Sequence, residues 1–246
     1  MTVATFRFYG ELNDFLARER RGGAFAAPCA RAATTKHMIE ALGVPHTEVA
    51  LMLLNGEPAT LDDLLEDGDR VAVYPRFTRL DVADAGLPQR PPGRVRFVAD
   101  AHLGGLARLL RMAGFDTIYR NTLTDDDVEA LALDEGRAVL TRDRELLKRR
   151  GVDVGCYVRA LKAEAQLREV VDRFGLAERL RPFTLCMACN APLRPVAKAD
   201  VLALLPPRVA EAQHEFRTCD CCGRVYWKGS HWQRMAGVLD AVLRDA

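Results

Sequence analysis

The sequence predicts an α/β fold: a domain built on a parallel sheet, preceded by a small α+β unit and followed by a cysteine-bearing ribbon. Three observations carry that expectation. After residue 94, short apolar runs alternate with amphipathic helical periods, the pattern of parallel strands joined by crossover helices. Before residue 80, strand-like runs and turn dipeptides mark a separate small unit. Near the C-terminus, Cys186-Met187-Ala188-Cys189 and Cys219-Asp220-Cys221-Cys222 repeat the C-x-x-C spacing of metal knuckles.

Composition sets the bounds. The 246 residues are 49% hydrophobic, enough to bury cores for two or three units. A formal charge of +1 excludes a global field that would by itself announce nucleic acid. No apolar run approaches a membrane span, and the opening T-V-A-T-F-R-F-Y reads as a strand rather than a leader. A soluble, cytoplasmic protein with no membrane partner is expected. In a reducing compartment, paired C-x-x-C among seven cysteines reads as metal ligation rather than disulfide bonding.

Residues 1–80 form the first expected domain. Val3 to Phe8 predicts a strand, Glu11–Arg20 a helix burying Leu12, Phe15 and Leu16, and Ala24–Ala27 a second strand. Thr34 or Thr35 caps a helix running through Ile39 and Leu42 to a stop at Gly43. Val49–Leu54 is a strand closing on the turn dipeptide Asn55-Gly56, and Arg70–Tyr74 is the last strand. With F-Y-G-E-L, L-L-N-G and D-G-D-R-V-A-V-Y-P, this stretch resembles the ubiquitin-like sulfur carriers of the β-grasp fold. Those carriers are activated at a Gly-Gly end, whereas here Pro75-Arg76-Phe77 runs on. The resemblance therefore implies a module that docks a protein partner or presents substrate rather than one that carries sulfur.

Residues 81–93, with Pro88, Pro91, Pro92 and Gly93, read as a linker, and residues 94–180 as the central domain. Val95, Phe97 and Val98 predict a strand ending at Asp100. Leu103, Leu106, Ala107, Leu110 and Ala113 recur at helical spacing up to a stop at Gly114. Thr117–Tyr119 is the next strand, and Thr124 or Asp125 caps the helix that buries Val128, Leu131 and Ala132. Ala138–Leu140 is the third strand, running to Asp143. Leu146-Leu147 opens a helix, Val154–Val158 makes a fourth strand, and Ala163–Leu180 adds one or two helices.

Taken singly, Asp125 is an ordinary cap and Asp143 a turn residue. Taken together, aspartates at the ends of several strands are what a hard divalent cation needs. Such a metal activates water and neutralises charge on a scissile phosphate. Arg108, Arg111 and Arg142 supply cations for a polyanionic substrate.

The runs D-A-H-L-G-G-L-A-R-L-L-R-M-A-G-F-D-T and D-E-G-R-A-V-L-T-R-D-R-E-L-L carry a second resemblance. They are similar to the PIN-like ribonucleases named for the C-terminal domain of the mut-seven exonuclease. That family adds a C-terminal zinc ribbon and sometimes an N-terminal ubiquitin-like domain. The resemblance implies a ribonuclease dependent on Mg2+ or Mn2+, with RNA as substrate. Its acidic positions fall on Asp100, Asp125 and Asp143, with Asp126 as a fourth.

Residues 181–246 make the expected ribbon and C-terminal helix. Cys186, Cys189, Cys219 and Cys222 are the four thiolates of a structural Zn2+ site with no open position, and Cys221 is left out. Asn190 and Gly223 follow the knuckles where a left-handed residue belongs. The segment Lys198–Ala212 between the knuckles reads as helical. Val225 to Trp232 interleaves aromatics with polar groups: Trp227 suits packing, while Lys228 and His231 suit either packing or contact with nucleic acid. The rival to an enzyme is a non-catalytic RNA-binding or ribosome-associated adaptor with a vestigial acidic pocket.

Overall fold

The computed structural model describes residues 2–76 and 95–244, apart from the side chains of His231, Leu243 and Arg244. The expected linker 81–93 lies outside the described residues. In chain order the strands are β1 (Thr2–Phe8), β2 (Phe25–Cys29), β3 (Val49–Leu54), β4 (Glu57–Ala59), β5 (Arg70–Pro75), β6 (Phe97–Ala99), β7 (Thr117–Ile118), β8 (Ala138–Thr141), β9 (Gly155–Tyr157), β10 (Arg194–Val196), β11 (Phe216–Thr218) and β12 (Val225–Trp227). The helices are α1 (Thr35–Ala41), α2 (Gly104–Met112), α3 (Asp125–Glu135), α4 (Arg144–Leu147), α5 (Ala163–Phe174), α6 (Lys198–Val201), α7 (Pro207–Ala212) and α8 (Ser230–Arg244). The chain divides into two compact units, Met1–Gly93 with Asp125–Tyr157, and Arg94–Thr124 with Val158–Ala246.

The first unit is organised by a five-stranded sheet in the order β2-β1-β5-β3-β4. β1 and β5 run parallel at its centre, and the remaining pairs are antiparallel, which is a β-grasp sheet. Alternation along β1 buries Ala4, Phe6 and Phe8, and along β5 buries Val71 and Val73. Leu12 and Ile39 close over this face. Thr34 caps α1, its hydroxyl accepting from the His37 amide at 3.2 Å, and Gly43 leaves the helix at φ +107°. Asn55 and Gly56, at φ +55° and +97°, make the hairpin turn into β4. β4 is an unanticipated edge strand that tolerates Pro58 because its outer side needs no ladder partner.

The helix expected over Glu11–Arg20 is corrected by the structure to two 3-10 turns, Gly10–Phe15 and Arg18–Arg20. Asn13 explains the difference. Its amide nitrogen donates to the carbonyls of Phe8 and Gly10, and its oxygen accepts from the Gly22 amide at 2.8 Å. Those bonds compete with the helical ladder. Leu12, Phe15 and Leu16 are buried as the spacing required.

The same unit contains α3, α4 and the parallel pair β8–β9, with Val139 opposite Gly155 and Thr141 opposite Tyr157. The β-grasp part is bonded directly to this pair. The Tyr157 amide donates to Glu48 at 2.9 Å, and Arg144 donates to the Phe15 carbonyl at 3.2 Å. His46, buried, lies between Glu40 at 2.6 Å and the Val152 carbonyl at 2.9 Å.

In the second unit, β6, α2 and β7 form a βαβ turn with Phe97 opposite Thr117. Phe97 packs edge-on against Phe115 and Phe174, so α5 seals the apolar side. Gly114 ends α2 at φ +92°, and a β-carbon there would sit 2.2 Å from the Arg181 carbonyl oxygen. That close approach lets the Arg181 amide bond to the Ala113 carbonyl at 2.8 Å. The three-stranded sheet β10-β11-β12 forms the ribbon, followed by α8. The helical stretch expected over Lys198–Ala212 is broken into α6, a 3-10 turn at Leu202–Leu204 and α7, because Pro206-Pro207 cannot continue a helix. Among the described residues no helix is long and apolar enough to cross a membrane.

Candidate functional site: a four-cysteine centre and strand-end aspartates

The Sγ atoms of Cys186, Cys189, Cys219 and Cys222 all lie within 4.8 Å of one another. Cys186 and Cys222 approach to 3.6 Å, and Cys189 and Cys219 to 3.4 Å. Thiolates at the corners of a tetrahedron around zinc are about 3.8 Å apart, given Zn–S bonds of about 2.3 Å. The quartet therefore fits a metal ion, and its chemistry favours a soft or borderline one. Cys221 is exposed and outside the set.

Each knuckle is shaped by its fifth residue. Asn190 and Gly223 both sit in the left-handed region, at φ +69° and +70°. Each donates its amide to the carbonyl of the first cysteine of its own knuckle, at 2.9 and 2.8 Å. Asn190 does more than turn the chain. Its side-chain oxygen accepts from the Thr117 amide at 3.0 Å, and its nitrogen donates to Asp116 at 2.6 Å.

The thiols divide electrostatically. Burial raises Cys186, but hydrogen bonds from the Tyr226 hydroxyl and from the amides of Cys189 and Ala188 outweigh it and bring it down to about 6. Burial pushes Cys189 and Cys219 up instead. The Tyr226 hydroxyl lies 3.0 Å from Cys186 Sγ, and burial together with that thiol raises its own pKa. Such a partner orients the ligand it touches.

Arg111, expected to meet substrate phosphate, is instead buried. Its Nε donates to the Thr117 carbonyl at 2.9 Å and its Nη1 to the carbonyls of Met187 and Ala188 at 3.2 and 2.9 Å. Burial lowers its pKa, while the neighbouring Cys186, Cys189 and Asp116 oppose that shift. The guanidinium is thus committed to tying α2 to the first knuckle.

The aspartates are held by backbone amides or by Arg149. Asp100 caps the turn Ala101–Leu103, accepting from the Ala101 amide. Asp143, exposed, caps α4 by accepting from the Glu145 amide at 2.8 Å, and its own amide bonds to the Thr141 hydroxyl. Asp125 and Asp126 open α3, where Arg149 pairs with both and with Glu129 at 3.0 Å. The Gly151 amide and Arg149 hold the Glu129 carboxyl below its ordinary range, against a smaller effect of burial. Arg108 and Arg142 are exposed. Lys228 pairs with Glu215 at 3.2 Å and lies over the Trp232 ring. Among the described residues, the cysteine quartet is the metal-competent group of three or more side chains, and the aspartates stand outside it.

The sequence model of the Mut7-C RNAse domain matches residues 95–239, more than half of the chain. The chain belongs to that family. Ahead of the Mut7-C region, the Mut7-C ubiquitin model matches residues 1–81, in agreement with the β-grasp sheet. The human exonuclease mut-7 homolog is 33% identical over 118 residues, covering 44% of this chain. The match spans 13% of that relative's length. Two crystal structures of small archaeal modifier protein 1 from Haloferax volcanii are each 20% identical to this Mut7-C chain, with TM-scores of 0.26 and 0.25. They cover 31% and 30% of it, and 100% and 96% of their own chains.

Proposed function

We propose that this protein is a metal-dependent ribonuclease that hydrolyses RNA phosphodiester bonds in the cytoplasm. The observation that carries the reading is the Mut7-C RNAse match across residues 95–239. On this reading residues 94–180 are the PIN-like catalytic domain, residues 181–246 a ribbon held by structural Zn2+, and residues 1–80 a docking module joined through 81–93. Asp100, Asp125 and Asp143, with Asp126 beside them, would hold Mg2+ or Mn2+, which supplies an activated water and neutralises charge on the scissile phosphate. Carboxylates fixed by backbone amides, as Asp100 and Asp143 are, fit a hard cation because the amide orients the group. Arg108 and Arg142 would hold substrate phosphate as exposed cations, with Lys228 and His231 meeting RNA further along. Arg111 has no part in this, being buried against the first knuckle.

One observation favours the alternative, an RNA-binding adaptor with a vestigial pocket. Arg149 already pairs with Asp125, Asp126 and Glu129, taking up part of the task a cation would otherwise perform. Calorimetric titration of Mn2+ into the zinc-loaded chain separates the two. Saturable binding that Asp143→Asn weakens at least about tenfold supports the nuclease, since a lost charged ligand is worth a few kcal/mol. Absence of binding supports the adaptor.

A further inference from the structure

The ribbon carries a cleft that the catalytic reading leaves unused. It encloses about 410 Å³, and Phe183, Met187, Tyr226, Trp227, Trp232 and Met235 line it. That volume lies within the roughly 300–1,000 Å³ of small-ligand sites. Flat rings and polarizable thioethers make walls suited to a planar aromatic guest.

The rings are held in place from behind. Tyr226 is anchored through its hydroxyl to Cys186 Sγ at 3.0 Å, so the back wall is tied to the metal centre. Phe183 projects from a left-handed backbone at φ +65°, a conformation that costs energy for a bulky side chain. Its ring meets Trp232 edge-on, with centroids 6.2 Å apart. Gly229 leaves room for Trp227, because a β-carbon there would lie 2.7 Å from the indole Nε1.

Charge decides what kind of guest fits. The Arg217 guanidinium stands 5.6 Å over the Phe183 ring and the Lys228 ammonium 5.8 Å over Trp232. Lys228 also pairs with Glu215, but an ion pair that exposed is weak and is readily exchanged for a phosphate. A rim of cations over aromatic walls matches an unpaired base with its phosphate, and it penalises an apolar protein segment, which would bury those cations.

We propose that this cleft is a base-stacking pocket for single-stranded RNA, in which one unpaired base enters beside Trp232 and its phosphate meets Arg217 and Lys228. The inference rests on the reading of RNA as substrate and adds the strand type and the place where it is held.

The test is fluorescence anisotropy of a labelled short oligouridylate with the full-length, zinc-loaded chain and no added Mg2+ or Mn2+. Trp232→Ala should weaken binding about tenfold, the order expected for losing one stacked base. Trp232→Phe should keep most of the affinity. Lys228→Gln should reduce both the affinity and its dependence on salt. Zinc content and circular dichroism identify any variant that has failed to fold, and Lys228→Gln gives a surface readout free of that risk. Wild-type affinity in both Trp232→Ala and Lys228→Gln overturns the pocket and leaves the cleft to an apolar protein partner. Equal affinity for a duplex of the same length overturns it as well. Cleavage with Mn2+ is scored separately. A wild-type chain that cleaves RNA while Trp232→Ala binds normally loses the pocket and keeps the nuclease; the reverse pattern keeps the pocket and loses the nuclease.

Discussion

The four cysteines and the aspartates at strand and helix ends are two ways of presenting anionic groups. The cysteine sulfurs converge within 4.8 Å inside one compact unit, and two of them are fully buried. Their positions are set by paired knuckles, each closed by a left-handed residue and a backbone bond to its first cysteine. Asp100, Asp125, Asp126 and Asp143 are instead each satisfied locally, by an amide one or two residues on or by Arg149. Four thiolates crowded this closely, two of them buried, repel and need a cation to persist together. Carboxylates at the surface are solvated and capped, so they persist without one. The thiolate group is therefore recognisable from its geometry alone, whereas the aspartates are satisfied without a metal.

The largest effect that would break this comparison is loss of the thiolate site. Cys186→Ser, or stripping of the metal, should loosen the ribbon, because one of its two small cores is built on Cys186, Leu193 and Cys219 and the other on Val201, Leu205 and Phe216. Structural zinc contributes on the order of 10 kcal/mol in such small modules. Elemental analysis for zinc and the near-ultraviolet circular dichroism of Trp227 and Trp232 report the loss. A metal-free ribbon with an unchanged spectrum would show that the quartet is incidental.

A smaller effect sharpens it. Arg111→Met should cost roughly 2–3 kcal/mol, because three carbonyls lose a charged donor in a buried place. Zinc should also leave faster to a chelator, since two of those carbonyls belong to the first knuckle. Urea unfolding and the rate of metal release measure the two consequences.

The smallest effect lies on the carboxylate side. The carboxyl of Glu129 is depressed in the folded state by the Gly151 amide and Arg149, so its contribution is present above its unfolded pKa, about 4.3. It is lost as pH falls through the folded value. Glu129→Gln should therefore lower the urea midpoint at neutral pH, and the gap to wild type should close below about pH 4. A gap independent of pH would mean that the side chain matters through its shape alone.

Much of this was visible in the residues because it depends on near neighbours. Asn55-Gly56, Gly43 and Gly114 fall at positive φ where turn and helix-stop chemistry placed them, and the knuckles follow from C-x-x-C spacing with Asn190 and Gly223. What was missed depends on side-chain hydrogen bonds that apolar spacing does not register, some local and some between distant positions. Apolar spacing alone favoured a helix over Glu11–Arg20, but Asn13 finds partners at Phe8, Gly10 and Gly22 that spacing does not register. Arg111 reads as a solvated cation on an amphipathic helix until carbonyls more than seventy positions away reach it. The docking role of Asn190 was hidden for the same reason, since Asp116 and Thr117 lie far back in the chain. The presence of an aspartate at a strand end is a local fact. Its use by a metal is not.

The central claim is that the aspartates work with a divalent cation on RNA. It is tested most directly by incubating the zinc-loaded chain with labelled single-stranded RNA, with and without Mn2+, beside Asp100→Asn and Asp143→Asn. The account predicts fragments that appear only with Mn2+ in the wild-type chain and vanish in both variants, while zinc content and unfolding midpoint stay unchanged. Cleavage that persists in both variants, or intact RNA in every reaction, would contradict it.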